Sequence, residues 1–261
     1  MSDKLYPVIF AGAGPGDPEL ITVKGQKALR DASLIVTAGS LVNPEILSHK
    51  SEGCEVVDSA PLNLEEICAL LIKGHRDGLK VVRLHTGDPS LYGAVYEQFE
   101  ILKANSVPYE VIPGVTAALA GAASLGLEYT LPELTQTLIV TRVEGRTPMP
   151  EGEDLASLAR HRASLALYLS AAEGPEVSRI LAEAYGEDAT VAILYRATWP
   201  DARVFWTTCG ALAGTLADAG LDRHSLIVTG PAVEALKKGQ KVAKSHLYDK
   251  RFSHAHREAK P

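Results

Sequence analysis

The sequence predicts an α/β protein of two domains, with mixed, mostly parallel sheets and a ligand cleft between them. Three observations carry this. Short apolar runs alternate with helical stretches from residue 7 onward, the spacing of a parallel sheet covered on both faces. The series breaks at Pro113, Gly114 and Val115 and then resumes. Residues 198–202, TWPDA, read as the turn of a hairpin, which brings antiparallel strands into the second sheet. The domains are expected at 1–113 and 114–238, with a polar, basic tail at 239–261. The linker is short, so the cleft between domains is the expected ligand position.

In the first half, residues 7–11 form a strand, followed by AGAGPGDPEL. Thr22 is placed to cap a helix over 23–31 by accepting a free amide. Gly12, Gly14 and Gly16 give G-x-G-x-G, so the third glycine of a dinucleotide fingerprint falls on Asp17. The strand over 33–37 ends in Ala38 and Gly39, without the acidic residue that a nicotinamide ribose needs. A nicotinamide cofactor is therefore disfavoured, and the loop is expected to shape a cleft with its backbone. A weak strand covers 55–57, and Asn63 with Glu66 forms a capping box for a helix through Arg76.

Residues 81–85, VVRLH, are the short buried run of a central strand. Thr86, Gly87, Asp88 and Pro89 follow at its carboxyl end, where open α/β sheets bind ligands. Gly87 lets a ligand approach the backbone, and Asp88 supplies the one formal charge. The same residues also suit a plain strand-to-helix turn. A helix over 92–104 and a strand over 109–112 complete this half.

The second half opens with a small-residue helix over 116–125, TAALAGAASL. Such a helix either packs closely on a sheet or offers the free amides of its first turn, at Thr116 and Ala117, to a ligand. Strands are expected over 137–142, 164–169, 190–196, 204–207 and 225–229, and helices over 154–161, 175–185 and 211–219. The loop TRVEGRTP at 141–148 carries Arg142, Glu144 and Arg146. It is either a solvated surface loop or a pair of guanidinium forks for carboxylates.

A net charge of −6 argues against nucleic acid as a partner. No apolar run is long enough to span a membrane, and no signal peptide is evident. Cys54, Cys68 and Cys209 lie far apart without metal-ligand spacing, which suits reduced thiols in a cytoplasm. His246, His254 and His256 are irregularly spaced in a polar tail, so a surface segment is expected there and not a metal site.

The segments GAGPGDPELITVKG, HTGDPSLYG, PGVTAA, LTQTLIVTRVEGRTP, LYLS and YRATWPD, in this order, resemble the tetrapyrrole methyltransferases that use S-adenosylmethionine. The likeness runs over residues 8–231 and continues into the tail. TQTLIVTRVEGRTP and ATWPD resemble the branch that methylates C11 of precorrin-4 or cobalt-precorrin-4 in cobalamin synthesis. The resemblance implies two α/β domains, each with a mixed five-stranded sheet, and a homodimer. It also implies S-adenosylmethionine folded in the cleft between domains, with S-adenosylhomocysteine as product. Matched by motif, the implied cofactor contacts are Pro15, Thr86, Gly87, Asp88, Leu91, Thr116, Ala117, Leu169 and Ala197. Leu169 replaces a Met common in the family, a swap of similar volume.

The reaction implied by the resemblance moves a methyl from a sulfonium to an electron-rich ring carbon. Alignment is then the protein's main task, and can lower the barrier by roughly 7–11 kcal/mol. Arg142, Arg146, Arg196 and Lys24 are the candidates to meet the substrate's carboxylates. Glu144, His85, Asp17 or a water would accept the proton released. Cobalt, where present, belongs to the substrate. The rival readings are another family member, such as uroporphyrinogen-III C-methyltransferase, and a non-catalytic tetrapyrrole carrier.

Overall fold

The structure is a computed structural model and describes residues 5–248, 252–253 and 255–258. The chain divides into two compact units. One is Met1–Ala120 with Arg196–Ala202, and the other is Gly121–Tyr195 with Arg203–Pro261.

The first unit holds a parallel sheet of β1 (Val8–Gly12), β2 (Leu34–Thr37), β3 (Glu55–Asp58), β4 (Val81–His85) and β5 (Tyr109–Ile112), in the order β3-β2-β4-β1-β5. Side chains alternate between its faces. Ala11, Ile35, Val82 and Leu84 pack with Leu29 of helix α1 (Val23–Asp31). Val8, Phe10, Leu34 and Val36 pack with Leu71 of α2 (Leu64–Arg76) and Leu102 of α3 (Tyr96–Ala104). Each such leucine, fully buried, contributes about 1.5–3 kcal/mol. The expected caps form. Thr22 Oγ1 accepts from the Gly25 amide at 3.1 Å, and Asn63 and Glu66 exchange bonds of 2.9 Å.

Helix α3 starts at Tyr96, four positions later than the sequence suggested. Tyr92 and Ala94 have φ of 55° and 46°, a left-handed backbone that a right-handed helix cannot run through. The other expected boundaries differ by one or two residues, the usual fraying of element ends.

The second unit holds β6 (Leu138–Thr141), β7 (Ser164–Leu167), β8 (Thr190–Tyr195), β9 (Arg203–Thr208) and β10 (Ser225–Thr229), in the order β6-β7-β10-β8-β9. The α/β class with two five-stranded sheets therefore holds. This second sheet is mixed, and only its β6–β7 pair is parallel among the described strands. The hairpin of β8 and β9 and the reversed direction of β10 are the cause.

One face packs on α5 (Leu155–Ala159), α6 (Gly174–Tyr185) and α7 (Leu212–Asp218) through Leu155, Leu181 and Leu212. On the other, α4 (Ala117–Leu125) approaches closely at Gly121, where a Cβ would stand 3.0 Å from Leu194. A further helix, α8 (Pro231–Lys238), packs on β8 and β10 and was not anticipated. Its last turn, Lys237 and Lys238, is as basic as the tail expected from residue 239, which hid the helix in the sequence. In the tail, Arg257 Nη2 donates to the Leu247 carbonyl at 2.6 Å. His254 lies outside the described residues.

In the first unit, β1, β4 and β5 end on three glycines in contact. Gly14 and Gly87 exchange backbone bonds of 3.2 and 2.8 Å, and the Ala13 amide donates to the His85 carbonyl at 2.7 Å. A Cβ on Gly12 would stand 2.4 Å from the Gly87 oxygen and 2.6 Å from the Gly114 Cα. There is no room for a side chain between these backbones. Gly12→Ala is expected to cost about 3 kcal/mol in urea unfolding, the scale of an overpacked core site. Gly214→Ala, in helix α7 with open space around it, is expected to cost nothing and to gain up to about 1 kcal/mol.

Candidate functional site

The loops after these three strands, 13–17, 86–91 and 113–117, lie at the carboxyl edge of the parallel sheet. Asp88 ties two of them together. Its Oδ2 accepts from the Gly114 amide at 2.8 Å. Its Oδ1 accepts from the Ser90 amide at 2.8 Å and from the Ser90 hydroxyl. Burial alone would raise this carboxyl's pKa. The Ser90 hydroxyl and the two amides outweigh it and hold the group below the ordinary carboxylate value. The Asp88 charge thus fixes the approach to Thr116 and Ala117 at the start of α4.

The first loop is held residue by residue. The Pro15 carbonyl accepts from Trp199 Nε1 at 3.1 Å, and the Gly16 carbonyl from Asn43 Nδ2 at 2.7 Å. The Asp17 amide donates to Thr198 Oγ1 at 3.0 Å. The Asp17 carboxylate caps the short 3-10 turn Pro18–Leu20 by accepting from the Glu19 amide at 2.9 Å. Ala197 is buried in the same Arg196–Ala202 stretch of this unit.

Two buried titratable side chains, Arg83 and His85, belong to β4, which leads into the Asp88 loop. Arg83 Nη1 donates to the Val36 carbonyl at 3.1 Å, and its Nε donates to Gln98 Oε1 at 3.3 Å. Gln98 Nε2 in turn donates to the Ala94 carbonyl at 2.8 Å, holding the left-handed segment that follows Leu91. Burial lowers the Arg83 pKa to about 10, so it remains charged at neutral pH. His85 is 3% exposed, stacks on Phe10, and its Nε2 has no partner among the described residues. Burial, then repulsion from Arg83, lowers its pKa to about 3. A ring so reluctant to hold a proton is a poor general base.

The remaining candidates belong to the second unit, apart from Arg196 and Lys24. Leu169 follows β7, 68% exposed and with φ of 54°. A large apolar residue held exposed in a left-handed conformation is the kind of strain that clusters at functional sites. Ser170 joins it to the TRVEGRTP loop, because its Oγ accepts from the Val143 amide at 2.9 Å. Arg142 is spent on that loop's own carbonyls, donating to Thr147 at 3.0 Å and Pro148 at 2.8 Å. Glu144 and Arg146 are exposed. Arg196 pairs with Asp201 at 2.6 Å, and Lys24 stands 3.9 Å from Glu110. Lys24 lines a surface groove with Ile9, Val82 and Glu110.

Sequence reasoning missed Asn43, Ser90, Gln98, Thr198 and Trp199 as supports of these loops. A lone Arg83 inside an apolar strand, and a Trp in a hairpin turn, were the available signals.

Residues 7–213 match the tetrapyrrole (corrin/porphyrin) methylases. The chain belongs to that family. The precorrin-4 C(11)-methyltransferase of Pseudomonas aeruginosa is 48% identical over 96% of this methylase and 98% of its own length. A solved cobalt precorrin-4 methyltransferase matches with a TM-score of 0.84 at 43% identity, over 87% of this chain and 95% of that one. A uroporphyrin-III C-methyltransferase from Thermus thermophilus, solved with S-adenosyl homocysteine, matches with a TM-score of 0.72 at 27% identity, over 88% and 94%.

The methylase's carboxyl-edge loops fit S-adenosylmethionine by their chemistry. Residues 12–17, 86–91 and 113–117 contain no Lys or Arg. They offer peptide groups, hydroxyls and apolar side chains, which suit a cofactor that carries an adenosine and an amino acid but no phosphate.

Two outcomes follow for the methylase. Because the folded Asp88 pKa is depressed, its bonds contribute fully above the unfolded value near 4 and are lost as pH falls through the folded value. Asp88→Asn sets an amide donor against the Gly114 amide. It is expected to cost about 1–3 kcal/mol at pH 7, with the gap to wild type closing in urea unfolding at pH values below about 4. For His85 the unfolded ring takes a proton near 6.5 while the folded ring resists to about 3, so stability falls as pH drops through that window. His85→Phe is expected to flatten that slope in the same measurement.

Proposed function

We propose that this methylase transfers the methyl group of S-adenosylmethionine to C11 of precorrin-4 or cobalt-precorrin-4. The observation that carries the reading is 48% identity, over nearly the whole chain, with a protein named for that reaction. When bound, the cofactor supplies a methyl made electrophilic by its sulfonium. Pro15, Thr86, Gly87, Asp88, Leu91, Thr116, Ala117, Leu169 and Ala197 would hold it. Within this set Asp88 acts by fixing Gly114, while Gly87, whose own amide and carbonyl are bonded to Gly14, offers a surface without a side chain for close approach.

Of the cationic candidates, Arg146 is the one with no loop carbonyl or acidic partner among the described residues, so it is assigned to a substrate carboxylate. Arg142 and Arg196 shape their own loops, and Lys24 keeps its place beside Glu110. Glu144, exposed on the Arg146 loop, is assigned the proton that leaves the ring carbon. Asp17 is committed to its cap, and His85 holds protons too weakly. The protein acts as a homodimer, as the family resemblance implies. Cytoplasmic residence suits three free, buried cysteines, and no helix among the described residues is long and apolar enough to cross a membrane.

The test is incubation with methyl-labelled cofactor and precorrin-4, with and without cobalt, followed by NMR of the product. Label at C11 is expected, and the preferred substrate decides the cobalt question. Label at another carbon would favour the uroporphyrinogen-type alternative, and binding without transfer would favour a carrier. Glu144→Gln is expected to lower kcat about 100-fold, the low end for loss of a general base, while leaving cofactor KM unchanged in steady-state assays.

A further inference from the structure

We propose that Trp199 is a positioning residue for the cofactor, acting through Pro15; this rests on the methylase reading and on the place of Pro15 within it. Three consecutive residues of the first loop are each held by a side chain distant in sequence, and the Arg196–Ala202 stretch supplies two of those three bonds. Trp199 Nε1 donates to the Pro15 carbonyl at 3.1 Å, and Thr198 Oγ1 accepts from the Asp17 amide at 3.0 Å. The indole also lies flush against Gly16, where a Cβ would stand 2.1 Å from its Cδ1.

The ring is itself held by a second group. The Arg196 guanidinium lies 3.9 Å from the indole centroid, and Asp201 takes the guanidinium at 2.6 Å. Stacking of this kind fixes a ring's orientation as well as stabilising it. The chain thus runs Asp201 to Arg196 to Trp199 to Pro15, and ends at a residue assigned to the cofactor. Joining β8 to β9 requires none of it, since a two-residue turn closes a hairpin. Instead the stretch keeps Arg196 and Thr198 at φ of 46° and 69°. Strain of this kind persists where surrounding contacts impose it, and here Thr198 is held by the first loop and Arg196 by Asp201 and Trp199. Arg196 therefore works as a clamp on the indole.

Trp199→Phe keeps an aromatic ring against Gly16 and Arg196 and removes the Nε1–H. It is expected to weaken S-adenosylhomocysteine binding about tenfold by isothermal titration calorimetry, the scale of one buried hydrogen bond. KM for S-adenosylmethionine should rise by a similar factor, with kcat at saturating cofactor within about twofold of wild type. Asp201→Asn, which loosens only the clamp, should raise that KM about threefold. A purely structural role would lower the melting midpoint and leave KM and Kd unchanged. Trp199→Phe that binds S-adenosylhomocysteine as tightly as wild type overturns the proposal. Failure of the wild-type protein to bind S-adenosylhomocysteine overturns the methylase reading beneath it.

Discussion

The meeting of Gly12, Gly87 and Gly114 is the constraint on which the rest of the site depends. Gly12 and Gly114 can press against each other and the Gly87 carbonyl only because neither carries a Cβ, and Gly87 supplies the left-handed φ of 59° there. That approach lets the Asp88 carboxylate reach the Gly114 amide, 26 positions along the chain. It also sets Thr86 and Gly87 beside the segment that leads into α4. Without the contact, the loops would be ordinary strand-to-helix turns. With it, they form one continuous edge of peptide groups.

Charge is distributed so that this edge carries no Lys or Arg and is anchored from within. Asp88 is ionised and satisfied by three donors, so it stabilises the loops and adds little field outward. Arg83 is buried on neutral acceptors, Gln98 and the Val36 carbonyl. The same guanidinium helps to keep His85 uncharged. Such an edge, built on backbone, suits a cofactor without phosphates. In the proposed assignment the anionic tetrapyrrole falls to Arg146, on a loop that Arg142 braces from within.

Much of the fold was legible because its signals are local. Alternating apolar runs, the Thr22 cap and the Asn63–Glu66 box each depend on neighbours within a few residues. Asp88 stood out as the only charge in its loop, but its partner did not, because no sequence pattern reports which amide a carboxylate will reach. The Trp199–Pro15 bond spans 184 positions and was invisible for the same reason. The late start of α3 was hidden because Tyr92 and Ala94 carry no signature of a left-handed backbone, which here is imposed by Gln98 holding the Ala94 carbonyl. Helix α8 was lost because its basic last turn resembles a tail. The two arginines of TRVEGRTP read alike in sequence, yet one is spent within its loop and the other is exposed.

The most direct test is a crystal structure of the protein grown with S-adenosylhomocysteine. The account predicts that the ligand touches the backbone at Thr86 and Gly87 and at Thr116 and Ala117, with Asp88 still bonded to Gly114. A ligand seated elsewhere, such as in the groove of about 300 Å³ lined by Tyr6, Lys24 and Lys80, with these loops uncontacted, would contradict it.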